Sequence, residues 1–429
     1  MLKSLKSVFE IKSLRKKIIA TLLLVVVYRF LSVIPIPGVN TDGLQAIMEQ
    51  QGGLAFFSAL MGGGLERFSI ILMGLSPYIN AMIILQLLGV IVPKIGDMQK
   101  EGEAGQRKIT RMTRWLTLPL AFVQSYGMIV LLNTLAGGSI IDSSNVSVML
   151  MAMLIATTGT IFLMWIGEVM TEYGIGNGIS VIITAGVLAG VPSVIMTHIN
   201  NNDYSLLALL FFATLIIIYI IIKFTEGNRR IPIIYTRTGR EEKSYFPIRI
   251  NQAGMIPIIF AVSLVTFPTI LGQILYSNIS SQKAVETLTI GENIGKFLTE
   301  HFSMSNPTWS LIIIYFLLVL AFSFFYVSIT FNTENVSESI QKRGGYIPGI
   351  RPGSETSNYL SKVSAHLNLF GGSFLALIAV LPYIMGKIMG KSIDFIISGA
   401  GLIIIVSVVL DIIRKVDSDR KMFDYSKFK

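Results

Sequence analysis

The sequence lacks cysteine altogether, and its 429 residues include only three histidines, His198, His301 and His366. Without cysteine there is no disulfide, thiolate nucleophile, cysteine zinc site or iron–sulfur cluster. The three histidines are far apart in the sequence, so we do not expect them to build a metal site. The sequence also has no G-x-x-x-x-G-K-[ST] segment, the loop that cradles nucleotide phosphates. We therefore expect no metal, no cofactor and no direct nucleotide binding.

Charged residues are also scarce. They make up 14% of the chain, whereas a soluble globular protein contains about 25%. Hydrophobic residues make up 52%, and the mean hydropathy is +0.67. This balance excludes an ordinary soluble enzyme, and it is far too apolar for a disordered chain. The composition indicates a polytopic membrane protein.

Long apolar runs are what the sequence has in abundance. A helix needs about 20 mostly apolar residues to cross about 30 Å of hydrocarbon. Ten runs meet this requirement: 18–34, 70–92, 115–133, 148–167, 178–197, 206–224, 254–275, 309–331, 367–386 and 395–413. The first run follows a basic stretch, as a signal peptide would. No small-x-small cleavage pattern follows it, so we predict a span there as well.

The net charge of +10 is unevenly distributed among the connections. Twenty-nine of the 35 lysines and arginines lie in five segments: 1–17, 93–114, 223–250, 332–366 and 414–429. If ten spans alternate, all five segments lie on one side, which the positive-inside rule makes the cytoplasm. We predict an amphipathic cytoplasmic N-terminus (1–17), two five-span halves (18–197 and 206–413) and a cytoplasmic tail (414–429). Halves of five spans begin on opposite sides, which permits an inverted repeat with a site between them.

The predicted spans carry few ionisable side chains. Arg29 lies near the outer end of the first span and Glu168 near the inner end of the fourth, where both can reach an interface. This scarcity disfavours a proton relay or an ion-pair switch. A ten-span secondary transporter for a small solute is the alternative, but it predicts buried charges. An intramembrane enzyme would need a catalytic pair that the spans do not offer.

Three connections contain sequence patterns that a simple link between spans does not require, at 225–253, 332–366 and 35–69. Segment 225–253 reads as a basic hairpin, with strands at 231–236 and 243–250. Segment 332–366 is shaped by prolines and glycines, and both loops suit an acidic or RNA-rich partner. For the 93–114 loop, ordinary positive-inside retention explains the charge. The outer segment 35–69 is either re-entrant or an amphipathic surface helix.

Five short motifs occur in order along the chain, at 77–81, 101–109, 174–180, 251–257 and 346–353. By spacing alone, glycine-rich 174–180 is a tight turn. Together, in a chain with ten predicted spans, the motifs resemble the SecY/Sec61-alpha family, whose bacterial members form the channel subunit of the Sec protein translocase. The resemblance covers nearly the whole chain, although the outer loop 276–308 contributes nothing to it. It implies an all-α polytopic membrane protein, with two five-helix halves around a central hourglass pore and a plug helix.

The resemblance also assigns residues to the pore. An apolar ring at its waist is implied at Ile79, Ile83, Ile183, Val187, Ile259 and Ile404. A plug at about 54–68 is implied to include Leu54, Phe56, Phe57, Leu60, Met61 and Arg67. Spacing alone would not select the ring, because apolar i,i+4 pairs occur throughout this chain. A collar of branched aliphatic side chains would resist leakage of water and ions, because it offers them no hydrogen-bond partner.

The remaining implied sites concern the lipid and the cytoplasm. A lateral gate is implied between the second and third spans and the seventh and eighth, with Gln86 and Phe267 as its candidate residues. Docking of the SecA ATPase and the ribosome is implied at Arg237, Arg240, Lys243, Tyr346 and Arg351. Further implied partners are SecE-type and SecG-type small membrane subunits, membrane lipids and a secretory polypeptide with its signal sequence. The protein is then a channel in the bacterial cytoplasmic membrane and is not itself an enzyme.

Overall fold

A computed structural model of the chain describes residues 11–39, 68–135, 140–141, 145–200, 202–237, 240–276, 290–302, 307–389 and 398–427. The described helices are α1 Lys12–Leu31, α2 Ser76–Ile91, α3 Pro93–Lys100, α4 Glu103–Leu135, α5 Val146–Tyr173, α6 Gly178–Asn200, α7 Tyr204–Glu226, α8 Ile256–Tyr276, α9 Ile290–Phe302, α10 Trp309–Thr330, α11 Thr333–Lys342, α12 Ser354–Met389 and α13 Gly399–Lys427. The described strands are β1 Asn228–Arg237, β2 Arg240–Arg249 and β3 Gly345–Tyr346.

Each of the ten predicted spans overlaps one of these helices, namely α1, α2, α4, α5, α6, α7, α8, α10, α12 and α13. In the described residues, five helices are long and apolar enough to cross a membrane, and a bent pair makes a sixth. In α1 and α13 every 18-residue window takes in more than two charged residues, because both helices extend beyond their apolar run. A search by the length and hydropathy of single helices therefore finds fewer spans than a search for apolar runs in the sequence.

The bent pair consists of α2 and α3, which meet at an angle of 111°. Pro93 is the first residue of α3, and the preceding Val92 is extended. Proline has no backbone N–H and disfavours a helical conformation in the residue before it, so the helix ends here. The second predicted span therefore ends where the first basic loop begins.

Two helices are longer than the spans within them. Helix α12 begins 13 residues before the predicted span at 367, and α13 continues to Lys427 through the predicted tail. The added turns are polar, with a segment such as Asp417–Lys421 in α13. Hydropathy locates the membrane part of a helix, whereas backbone hydrogen bonding continues as long as the residues favour it.

Helices pack against their neighbours within each half, and the two halves also pack against each other. In the first half, α4 packs against α2 and α5, and α5 packs against α6. In the second half, α10 packs against α8 and α12, and α12 packs against α13. The largest apolar cluster of the described residues draws on helices of both halves. A second cluster lies within the first half, where Ile36 and Phe68 pack on α4 and α5.

The predicted hairpin is present, and it gains a third strand. Strands β1 and β2 pair antiparallel from Asn228–Arg249 to Arg237–Arg240. Strand β3 pairs with the other edge of β1, where Ile234 is opposite Tyr346. The sheet order is therefore β2-β1-β3. The sequence did not predict this third strand, because two residues are too short for a recognisable alternating pattern.

Candidate functional site

Most of the aliphatic residues predicted for the pore ring are buried, and four of them lie in the apolar cluster that both halves share. Ile79 and Ile83 of α2, Ile183 of α6 and Ile404 of α13 belong to the largest apolar cluster. Ile259 of α8 is half-buried and packs against the same cluster. Val187 of α6 is also buried. Four helices, two from each half, thus supply these side chains.

Helix α2 shows how its backbone directs these side chains. Ile79 and Ile83 are one turn apart and share a face. Their neighbour Ile84 lies about 100° further round the helix, and it is 38% exposed, whereas Ile83 is 5% exposed. Branched aliphatic side chains offer no donor or acceptor to water or an ion. A constriction built from them would exclude hydrated ions without selecting any particular side chain of a passing polypeptide.

Two separate seams join the halves. We call the first the α8 seam: here α8 of the second half packs against α2 and α4 of the first. The half-buried Gln86 of α2, a predicted gate residue, has a buried Oε1 atom without a hydrogen-bond partner. Phe267 lies on α8, but its side chain is outside the described part of the structure. The prediction that these two residues form a gate therefore stays a prediction.

Sequence reasoning missed a second amide, Gln124 of α4. Its side chain is buried, and neither its Nε2 nor its Oε1 has a hydrogen-bond partner. A buried amide without partners costs about 1–3 kcal/mol, so it weakens the packing around it. The signal in the sequence was weak, because the predicted span 115–133 also contains Thr117, Ser125 and Asn133.

We call the second contact the α13 seam. Here α6 packs against α7 and α13. Lys17 of α1 reinforces it, with its Nζ 2.6 Å from Oδ2 of Asp419 in α13. Around this ion pair, Ile11, Leu14 and Ile175 form a small apolar cluster with Ile412 and Val416.

Thr21 fastens the glycine-rich turn to α1, whose Lys17 takes part in the α13 seam. Its Oγ1 accepts a hydrogen bond from the Ile175 N–H at 3.0 Å and donates one to the Lys17 carbonyl at 3.0 Å. The turn at 174–180 is therefore more than a connection between two spans. It is the point where α1, α5, α6 and α13 meet.

The two isolated charges of the predicted spans have different surroundings. Oε1 of Glu168 accepts a hydrogen bond from Nε of Arg114 at 2.8 Å. Nη2 of the same arginine lies 2.7 Å from Oε2 of Glu168. This two-point geometry matches the planar guanidinium fork. Arg29 is exposed and contacts Ser32 Oγ at 3.4 Å through Nη1. The sequence placed Arg114 in a basic loop and did not predict that it pairs with Glu168.

The two shaped loops fold together into one body, which we call the platform. It consists of β1, β2, β3, α11 and the first turns of α12. Its own apolar core contains Ile231, Ile233, Ile248, Ile340, Ile347, Leu360 and Val363. Gly345 makes the contact of β3 possible, because a Cβ there would lie 2.7 Å from the Tyr235 ring. The sequence predicted two separate appendages, whereas the structure has a single one.

Hydrogen bonds fix the loop that presents Arg351. The Arg351 carbonyl accepts from Thr356 Oγ1 at 2.9 Å, and the Gly353 carbonyl accepts from Ser337 Oγ at 2.7 Å. Gly353 has φ +99°, a conformation that residues with a Cβ rarely adopt. The Arg351 side chain is exposed on this rigid loop. The backbone that carries its charge is therefore fixed by these bonds.

The other predicted docking residues are spread over the same body. Lys243 is exposed on β2, and Tyr346 is half-buried on β3. Arg237 and Arg240 pair with each other at the hairpin tip, and their side chains lie outside the described part. The platform thus carries basic residues on a surface that is ordered by its own core.

The predicted plug residues Leu54, Phe56, Phe57, Leu60, Met61 and Arg67 lie outside the described residues. The structure does describe both ends of their segment. The Ile36 N–H donates to the Phe68 carbonyl at 2.9 Å, and the Ile70 N–H donates to the Ile34 carbonyl at 2.9 Å. The residues before and after the undescribed segment, 34–36 and 68–70, therefore lie side by side. Phe68 is fully buried at this point.

Comparisons with known proteins agree with this architecture. Residues 69–413 match the SecY family. The chain is 37% identical to the protein translocase subunit SecY of Halalkalibacterium halodurans, and the alignment covers 100% of both chains. A solved structure of a protein-conducting channel is similar, with TM-score 0.68 and 19% identity over 95% of this chain and 92% of that one.

A further similar structure is Sec61 in the canine ribosome–channel complex from the endoplasmic reticulum. It has TM-score 0.65 and 19% identity, again over 95% of this chain and 92% of that one. These likenesses confirm the predicted class, an all-α polytopic membrane protein with ten transmembrane helices. The hourglass shape, the plug and the site residues stay predictions.

Proposed function

Because this chain belongs to the SecY family, we propose that it is the channel subunit through which unfolded secretory polypeptides cross the bacterial cytoplasmic membrane. The observation that carries the proposal is the burial of Ile79, Ile83, Ile183 and Ile404 in one apolar cluster between the halves. Helices of both halves contribute, so a relative movement of the halves would widen or narrow the same collar. With Val187 and Ile259, these residues form the constriction.

The collar works by being apolar and narrow. Water and ions would lose hydrogen bonds on entering it, and nothing in the collar replaces those bonds. An extended polypeptide can pass, because aliphatic walls do not grip any particular side chain. The plug segment at 54–68 closes the outer funnel when no chain is present. The pairing of 34–36 with 68–70 supports this role, since it fixes the residues that follow the plug to the end of the first span.

The α8 seam serves as the lateral gate. An apolar segment of the passing chain leaves here for the lipid, driven by the transfer energy that favours apolar helices in bilayers. Gln86 and Phe267 line this exit. The unpartnered Gln86 Oε1 supports the assignment, because an unsatisfied buried acceptor destabilises the closed packing around α2.

The platform is the cytoplasmic docking site. Its exposed basic residues, Arg351 and Lys243 among them, attract the acidic or RNA-rich surface of a partner. A SecA-type ATPase or a ribosome supplies the energy, and the canine Sec61 neighbour was solved with a ribosome. The platform lies on the side with both termini, which the positive-inside rule makes the cytoplasm. SecE-type and SecG-type subunits and the surrounding lipid complete the channel.

The collar is tested by a matched pair of variants on one helix. Ile83→Asn places an amide in the constriction, whereas Ile84→Asn places it on the exposed face of α2. We expect Ile83→Asn, and more strongly its combination with Ile183→Asn, to raise ion conductance of the reconstituted channel in planar bilayers. Ile84→Asn should leave the conductance at the wild-type level. Equal conductance for all variants would reject the collar assignment.

The docking role is tested at Arg351. We expect Arg351→Glu to block export driven by the motor protein while the variant inserts into the membrane normally. Arg343→Glu is the control, because it makes the same charge change at an exposed position just after α11. Normal motor-driven export by Arg351→Glu in inverted membrane vesicles would remove the role given to this residue.

A further inference from the structure

Helix α9 lies in the outer loop 276–308, which contributes nothing to the family resemblance. The helix has three distinct faces. One face packs on α8. A second is polar, with Asn293 exposed and Lys296 within 3.9 Å of Glu300. The third is apolar and exposed: Ile290 is 82%, Ile294 49% and Phe297 55% exposed. These three residues are spaced i, i+4 and i+7, so they form one stripe along the helix.

The packed face brings two backbones close together. A Cβ at Gly272 of α8 would lie 2.7 Å from the Leu298 Cβ and 3.0 Å from the Gly295 carbonyl oxygen. Gly295 is itself buried and lies one turn before Thr299. Small residues four apart that allow backbone contact are typical of helix pairs within membranes. Helix α9 is therefore joined to α8 as a membrane helix would be.

The C-terminal end of α9 shows a second sign of a site poor in water. The Phe302 carbonyl accepts from Thr269 Oγ1 of α8 at 2.8 Å. The His301 carbonyl accepts from Thr308 Oγ1 at 3.4 Å. The last carbonyls of a helix have no partner within it, and only water or other groups can satisfy them. Here side-chain hydroxyls do so, as apolar surroundings require.

The exposed stripe continues an apolar surface on the neighbouring spans. On α8, Leu271 and Leu275 are exposed one turn apart and adjoin the face that carries Gly272. On α10, which also contacts α9, Trp309 and Ile313 are exposed. Tryptophan at the end of a span marks the membrane interface. The α9 stripe thus lies beside surface that the bilayer covers.

We propose that α9 is an interfacial anchor, whose Ile290–Ile294–Phe297 stripe inserts into the lipid leaflet on the side opposite the platform. Its polar face then faces water, and its third face holds α8. Lipid covers the stripe, because the adjoining faces of α8 and α10 are lipid-facing. Helix α8 also forms the α8 seam, so the anchor connects the seam to the outer leaflet. This proposal depends on the membrane fold and needs no translocation activity.

The cysteine-free sequence allows a direct test by site-directed spin labelling. Single cysteines replace Ile294, Phe297 and Asn293 in the full-length chain, reconstituted in phosphatidylcholine–phosphatidylglycerol vesicles. Power saturation then compares collisions with oxygen, which concentrates in the bilayer, and with a water-soluble nickel chelate. We expect a higher oxygen-to-nickel ratio at 294 and 297 than at 293.

Two controls calibrate the scale. Ile313→Cys on exposed α10 reports the lipid value, and Lys342→Cys on the platform reports the water value. A ratio at 294 and 297 equal to that of Lys342→Cys would overturn the proposal. Low collision with both reagents would overturn it too, because protein and not lipid would then cover the stripe. Ile294→Cys is a small aliphatic-to-thiol change, so a folding defect at 297 would leave position 294 to decide.

Discussion

The α8 seam and the α13 seam join the same two halves with different chemistry. The α13 seam has an ion pair, Lys17–Asp419, beside a small apolar cluster. Across the α8 seam the described residues form no ion pair, and Gln86 has an acceptor without a partner. Parting the α8 seam separates apolar surfaces and leaves no charge unpaired. Parting the α13 seam would break a partly buried ion pair.

From this difference we infer that the α8 seam is the contact that opens. Apolar surfaces that separate within a membrane are re-covered by lipid or by an apolar segment of the passing chain, so the cost is small. Separating an ion pair costs more, because each charged partner is left unsatisfied. The halves should therefore move about the α13 seam as a hinge and part at the α8 seam.

The largest expected effect comes from the turn at the hinge. Gly176 has φ +83°, and a Cβ there would lie 3.3 Å from Ile412 Cγ1. Gly176→Ala should cost about 2 kcal/mol, since left-handed backbone is unfavourable for alanine and Ile412 must shift. Gly102→Ala is the control, because Gly102 has φ +71° with no atom near its Cβ position. If Gly176→Ala lowers the thermal midpoint in detergent no more than Gly102→Ala does, the contact with Ile412 contributes nothing to the cost.

Next comes the ion pair itself. Asp419→Lys should destabilise the chain by about 1 kcal/mol, a modest value because the Lys17 side chain is 38% exposed. The exchanged double variant Lys17→Asp, Asp419→Lys should recover most of the loss. Thermal unfolding of the wild type and of these two variants in detergent measures this. If the exchange recovers nothing, the pair does not stabilise the α13 seam.

A smaller effect, of opposite sign, is expected at the other seam. Gln86→Met keeps the side-chain size and removes the unpartnered Oε1, so it should stabilise the closed seam by less than about 1 kcal/mol. Export of a substrate with a weakly apolar signal sequence should then slow down. Gln106→Met, at an exposed position on α4, is the control. Unchanged export by Gln86→Met would exclude Gln86 from the gate.

The last experiment should leave export unchanged, and it distinguishes the two seams most sharply. Lys17→Cys and Asp419→Cys can be joined by a flexible bismaleimide in this cysteine-free chain. Since the α13 seam is the hinge, the crosslinked channel should export as well as the unlinked double variant. Loss of export after crosslinking would mean that this seam also parts, and the proposed division between the seams would fail.

Much of the fold could be predicted, because each span is an apolar run that needs no partner to be recognised. The bend at Pro93 and the hairpin with its strands near 231 and 245 follow from local residue preferences. What could not be predicted depends on residues distant in sequence. The pairing of Glu168 with Arg114 and of Lys17 with Asp419 required helix packing to bring the charges together.

The candidate site divides in the same way. The ring residues came from resemblance alone, because Ile83 and Ile84 are indistinguishable by composition and differ only in burial. The union of the two cytoplasmic loops was missed, since Gly345 and Tyr346 pair with a strand that lies two spans earlier. Gln124 was visible in the sequence only as one of several polar residues in the third predicted span, and its lack of partners is visible only in the packed structure.

The pairing of β3 with β1 has a consequence for how the molecule is made. Strand β1 is synthesised before α8 and α10, whereas β3 comes only after them. A nascent chain therefore displays a hairpin with one open edge until both later spans have emerged. The platform, which we propose as the docking site, is therefore complete only after α8 and α10 have been synthesised.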